Sequence, residues 1–222
     1  MQFPQYQPPA HEGLEILFQD DALLIVNKPS GLLATPGRGE DKQDCLLSRL
    51  QYEFPDAEVV HRLDMATSGL MIFALDKTMQ RELSILFQQR KVHKVYTAVV
   101  EGLIETDKGS INLPMITDWP NRPLQAIDYE KGKPALTHFE VMKRDDDKNI
   151  TWVELMPMTG RTHQLRLHMK TLGHAIIGDN LYSPSTSVIS SPRLLLHATS
   201  LGFRHPMTRQ QVNVSLPADF SI

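Results

Sequence analysis

The sequence predicts an α+β fold with more strand than helix. Apolar runs with strand character recur from Leu14 to Leu216, whereas apolar residues at helical spacing occur in only a few short stretches. Leu70-Met71-Ile72-Phe73-Ala74-Leu75 is moreover an unbroken apolar run, which suits a strand covered on both faces. At 222 residues the chain can bury roughly 70% of its unfolded surface, so it needs neither disulfide nor cofactor to fold. No repeat or linker divides it. One folded unit over 14–222 is expected behind a flexible Gln- and Pro-rich arm at 1–13, with two lobes sharing a sheet as the variant of that plan.

Leu14 to Phe18 and Leu23 to Lys28 read as a hairpin turning at Asp20-Asp21. Lys28-Pro29-Ser30-Gly31 stops the second strand, and Thr35-Pro36-Gly37-Arg38-Gly39 is a Gly-rich loop without the Gly-Lys-Ser/Thr ending of a phosphate loop. Leu46, Leu47, Leu50 and Phe54 predict a helix halted by Pro55. From the N-cap Asp76, the spacing of Met79, Leu83, Leu86 and Phe87 predicts a second helix ending near Arg90. Lys94 to Val100 alternates as a strand, with Lys94, Tyr96 and Ala98 on one face. Leu113 to Pro134 reads as a long irregular connection, and loops of that length tend to be functional. Strands are expected again at Thr137 to Lys143 and Thr151 to Met156. Thr162 is placed as the cap of a third helix with Leu165, Met169 and Leu172 inward and His163, Arg166 and Lys170 outward. A Ser/Pro loop at Ser183 to Ser191 precedes a last hairpin, Leu194 to His205 with Gln211 to Leu216.

Composition narrows the function without naming it. No apolar run approaches the ~20 residues of a membrane-spanning helix, and no signal peptide is evident, so a cytoplasmic location without membrane partners is expected. The single cysteine, Cys45, reads as a core or helix-face thiol. A net charge of −3 argues against indiscriminate polyanion binding, yet two basic clusters, Arg90 to Lys94 and Arg161 to Lys170, permit a local polyanion surface. No metal site is expected: His163 and His168 are not at the spacing of two ligands on one helix face.

The most informative segment is His61-Arg62-Leu63-Asp64-Met65-Ala66-Thr67-Ser68-Gly69-Leu70. It sets one carboxylate beside imidazole and guanidinium, on a loop anchored to the apolar run. An arginine neighbour keeps a carboxylate ionised, and an ionised aspartate can attack an electrophilic carbon. On residues alone, Asp64 is equally a nucleophile or the cap of the Thr67-Ser68-Gly69 turn. Tyr96 is either a stacking and proton-moving phenol or a packed strand tyrosine.

His61-Arg62-Leu63-Asp64 followed by Thr67-Ser68-Gly69 resembles the catalytic motif of the RluA family of pseudouridine synthases. Asn27-Lys28-Pro29-Ser30-Gly31, Lys94-Val95-Tyr96-Thr97-Ala98, Gly160-Arg161-Thr162-His163-Gln164-Leu165-Arg166-Leu167-His168 with Gly178-Asp179, and Leu195-Leu196-His197-Ala198 resemble its other motifs, in order, from about Leu14 to Phe220.

The resemblance implies a mixed, mostly antiparallel sheet in two halves with a central cleft, and a catalytic domain over 14–222 without the S4 RNA-binding domain that many members carry. It implies isomerisation of uridine to pseudouridine in RNA, with Asp64 as catalytic aspartate, Tyr96 as the stacking and proton-accepting residue and Arg166 as ion-pair partner of Asp64. Substrate contacts are implied for Arg62, Leu63, Thr67, Arg161, His163, Gln164 and Leu196, with no cofactor and no obligatory protein partner. The base must leave its stack to react, so hairpin loops are the expected substrates, with Arg62 filling the vacated space. Trp119-Pro120-Asn121-Arg122-Pro123 and Gly132-Lys133-Pro134-Ala135 most resemble the members acting on both a 23S rRNA hairpin and tRNA anticodon stem-loops. A single RNA target is the alternative. Two other classes stay open: a carboxylate-dependent nucleoside hydrolase, for which no second carboxylate is evident, and a noncatalytic RNA-binding module.

Overall fold

A computed structural model describes residues 6–183 and 191–220. Along the chain come β1 (Ile16–Gln19), β2 (Leu23–Lys28), α1 (Leu46–Glu53), β3 (Glu58–Val59), β4 (Ser68–Ala74), α2 (Lys77–Gln88) and β5 (His93–Glu101). Next follow β6 (Lys108–Asn112), β7 (Met115–Thr117), β8 (Gln125–Ile127), β9 (Leu136–Asp145), β10 (Ile150–Pro157), α3 (Gln164–Thr171), β11 (Leu196–Arg204) and β12 (Gln211–Ser215). The class is α+β with a large, mostly antiparallel sheet, as the sequence predicts. The chain divides into two compact units: the described residues up to His93 with Ala198–Pro217, and Lys94–His197 with the residues from Ala218.

In the first unit β2 is flanked by β1 and β4, both antiparallel, β3 adds to β4, and β11 pairs with β12. All seven residues of β4 are buried, which is what its uninterrupted apolar sequence requires. One core gathers Leu23 and Ile25 of β2, Leu70 and Ile72 of β4, Met79 and Leu83 of α2, and Phe203 and Val212 of the last hairpin. Asp76 caps α2 as expected, its carboxylate accepting from Met79 N at 2.7 Å. The helix stops before Arg90, which turns left-handed at φ 57°. Cys45 is buried and caps α1, accepting from Ser48 N. The described residues of the arm, 6–13, carry no regular structure. Tyr6 donates to Asp44 O and accepts from Leu33 N, and Arg49 donates to Pro9 O at 2.6 Å.

In the second unit β10 pairs with β5 and β9, and β6 pairs with β9, all antiparallel. The expected irregular connection at Leu113 to Pro134 instead contains the β7–β8 hairpin, tipped by a 3-10 turn at Trp119–Asn121. Its prolines flank three-residue strands too short to show alternation. The third helix starts one residue later than predicted. His163, in the left-handed region at φ 54°, stands at its N-cap instead of Thr162. The Ser/Pro loop expected after Ser183 lies largely outside the described residues.

Candidate active site

In the first unit Asp64 sits half-buried on the loop leading into β4. Lys28, at the end of β2, is fully buried and donates to three carbonyl oxygens: Pro29 at 2.9 Å, Leu32 at 2.7 Å and Met65 at 3.0 Å. Ser30 Oγ donates to Ala66 O at 2.7 Å and Gly31 N to Met65 O at 2.9 Å. The Asn27-to-Gly31 motif therefore clamps the two residues after Asp64. A buried ammonium is tolerable only with its protons matched, which makes this clamp specific to lysine.

The other side of the loop is equally fixed. Thr67 N donates to Asp64 O at 3.1 Å, a backbone bond that closes the turn. His61 Nε2 accepts from Ile72 N at 3.0 Å, and its ring stacks on Phe87 at 4.5 Å. These contacts make His61 an anchor of the loop against β4 and α2. Arg62 is exposed, while Leu63 and Thr67 are buried in the loop. Gly69, at φ 107°, is pressed so closely on Ala198 that a Cβ would stand 2.4 Å from its carbonyl oxygen.

The second unit carries the remaining predicted residues. Tyr96 is half-buried on β5, opposite Leu155 of β10, two residues from Lys94, whose ammonium burial pushes below its ordinary pKa. Arg166 does not face outward from α3, as its helical position predicts. It is buried, with Nε 2.7 Å from Asp179 Oδ2 and Nη2 2.7 Å from Oδ1. Asp179 Oδ1 also accepts from Leu181 N and Tyr182 N at 2.9 and 3.1 Å. The preceding Gly178, at φ 77°, leaves no room for a Cβ against Arg193 O. The Gly178-Asp179 pair thus makes one tight turn and one bidentate seat for a guanidinium.

Tyr182, which the sequence reading overlooks, completes this cluster. Its buried ring lies 5.3 Å below the Arg166 guanidinium, and its hydroxyl accepts from Gln125 N and bonds His163 Nδ1, both at 2.9 Å. The residue falls three places after Asp179, the one signal that could have found it. Gln164 is spent inside the fold: Oε1 accepts from Thr159 Oγ1 and Arg161 N, and Nε2 donates to Leu136 O and Thr137 Oγ1. It builds the turn before α3. Arg161 is exposed and donates to Pro134 O at 3.3 Å; Leu196 is buried on β11.

Comparison with known proteins matches residues 22–171 to the model of a family described as RNA pseudouridylate synthase. A protein of Vibrio parahaemolyticus named dual-specificity RNA pseudouridine synthase RluA is 49% identical over 219 residues, 97% of this chain and 88% of the relative. The Escherichia coli K12 protein of that name is 48% identical over 220 residues, 99% of this chain and 100% of the relative. Among solved structures, human RNA pseudouridylate synthase domain containing 1 superposes with a TM-score of 0.78 at 30% identity, covering 95% of this chain and 86% of its own.

Proposed function

The chain belongs to the RNA pseudouridylate synthase family, and on that premise we propose that Asp64, Tyr96 and Arg166 carry its isomerisation of uridine to pseudouridine in RNA. Asp64 acts on the ribose of the target nucleotide, as nucleophile at C1′ or as base at C2′, and the N1–C1′ bond breaks. The detached uracil turns and C5 bonds to C1′, which displaces Asp64 in the first route or is followed by return of the C2′ proton from Asp64 in the second; the C5 proton leaves through Tyr96 and is matched by the proton that N1 takes up. No cofactor enters. Atoms balance, since the product has the mass of the substrate.

The observation that carries this reading is the fixed backbone on both sides of Asp64, which holds its carboxylate on a rigid strand-anchored loop. Arg166 serves as the ion-pair partner of Asp64, and the exposed Arg62 fills the place of the flipped base. Leu63, Thr67, Arg161, His163 and Leu196 shape the substrate site. The substrates are hairpin loops of two RNA classes, a 23S rRNA hairpin and tRNA anticodon stem-loops. The similarity to relatives named dual-specificity enzymes supports that choice. The protein acts as a monomer in the cytoplasm; among the described residues no helix is long and apolar enough to cross a membrane.

Incubation of the purified protein with each hairpin tests the reading. The parent is expected to form pseudouridine with RNA mass unchanged, and Asp64→Asn to bind the RNA without product. Release of free uracil identifies a hydrolase instead. Unchanged function in Asp64→Asn identifies a binding module. Product from only one hairpin narrows the enzyme to one target.

A further inference from the structure

Beyond the residues of the reaction, the second unit presents an aromatic side chain where no core can use it. Trp119 is 63% exposed at the tip of the β7–β8 hairpin, and the whole run Trp119-Pro120-Asn121-Arg122-Pro123 is exposed. The Arg122 guanidinium lies 4.3 Å from the centroid of the indole ring. An indole gains most by burial, so leaving it in water has no folding rationale.

The tip is also held stiffly. Asp118 N donates to Leu124 O at 3.0 Å, Asn121 N to Asp118 O at 3.1 Å, and Leu124 N to Asn121 O at 3.1 Å. The side chain of Asn121 donates to Asp118 Oδ2 at 3.0 Å. At its base the hairpin is fastened to the buried Tyr182 hydroxyl through Gln125 N. The backbone that carries the indole is thus ordered before any partner arrives, which lowers the ordering cost of binding.

The geometry points to a nucleobase platform: Trp119, flanked by Arg122, stacks on an unpaired base of the RNA substrate other than the modified uridine, while Arg122 reaches the adjoining phosphate. A planar aromatic face beside a fixed cation matches a base and its phosphate. An apolar protein partner would want aliphatic neighbours, and Trp119–Pro123 offers prolines alone. The platform rests on the reading of the chain as an enzyme of RNA hairpins and adds to it a contact outside the target base.

Steady-state kinetics on a hairpin substrate, with indole fluorescence during RNA titration, test it. Trp119→Ala raises KM roughly tenfold with kcat little changed, and Trp119→Phe, which keeps a ring, recovers most of the loss. Arg122→Ala flattens the slope of log KM against log salt by about 0.7. RNA quenches the fluorescence of the parent and not of Trp119→Phe, in which Trp152 remains. Tyr52→Ala, removing another exposed aromatic residue, is the control and leaves KM unchanged. An active parent whose Trp119→Ala variant keeps KM within twofold, or a quench that persists in Trp119→Phe, overturns the platform. A parent that modifies no RNA overturns the enzymatic reading and the platform with it.

Discussion

The Lys28 ammonium donates to the carbonyl oxygen of Met65, the residue that follows Asp64, at 3.0 Å. A residue of one motif thereby fixes the backbone of another. Lys28→Met keeps the stem but leaves buried carbonyls without their donor. It is expected to lower stability by about 2–5 kcal/mol, since each unsatisfied group costs about 1–3 kcal/mol. Urea denaturation reads the first effect. In whatever fraction stays folded, single-turnover rates should fall more than RNA affinity, because the loosened loop displaces Asp64 rather than the RNA surface. A variant with the parent's stability and rate would show that the clamp is dispensable.

Gly69→Ala forces a methyl group into the Ala198 backbone at a φ that L side chains avoid. Strain and overlap together should cost at least ~2 kcal/mol. The thermal midpoint is the measurement, and a shift within error would contradict the close approach of β4 and β11.

Asp179→Asn removes the negative half of a buried bidentate pair while keeping the side chain's shape. Breaking such a pair costs about 3–5 kcal/mol, because the buried guanidinium loses the charge that Asp179 sets against it. Denaturant midpoints check the loss. Arg166→Lys should not substitute for the parent, since one ammonium cannot meet both carboxylate oxygens in the planar geometry of the fork.

His168 is buried, bonded to Thr137 Oγ1 through Nδ1 at 2.9 Å and to Leu113 O through Nε2 at 3.3 Å. Burial lowers its pKa, opposed in part by the bond to Leu113. The folded protein therefore resists protonation that the unfolded chain accepts at the ordinary imidazole value. Stabilisation from this group is complete above about pH 6.5 and is lost as pH falls through the lower folded value. Urea midpoints at pH 7.5 and 5 should drop further in the parent than in His168→Gln. Equal drops would place the acid sensitivity elsewhere.

What the sequence discloses and what it conceals follow from how each residue is buried. The apolar run at β4 and the cap at Asp76 are local signals, and the structure has both where they were expected. Helix α3 defeats the same reasoning. Amphipathic patterning assumes that polar residues face water, yet Gln164, Arg166 and His168 are all buried, each satisfied by a partner distant in sequence, while Leu172 is exposed. Asp179 and Tyr182 could not be paired with Arg166 from spacing, because a turn of the chain after α3 brings them together. The ordered motifs marked the candidate residues without disclosing the hydrogen bonds that fix them.

The seat made by Asp179 divides the work of one guanidinium. Two of its five N–H groups, on Nε and Nη2, are committed to the carboxylate. Taken with Asp179 the arginine adds no net charge to its surroundings. What the carboxylate gives the guanidinium is direction: a planar fork held in one orientation by an anion behind it, less sensitive to ionic strength than a lone cation would be.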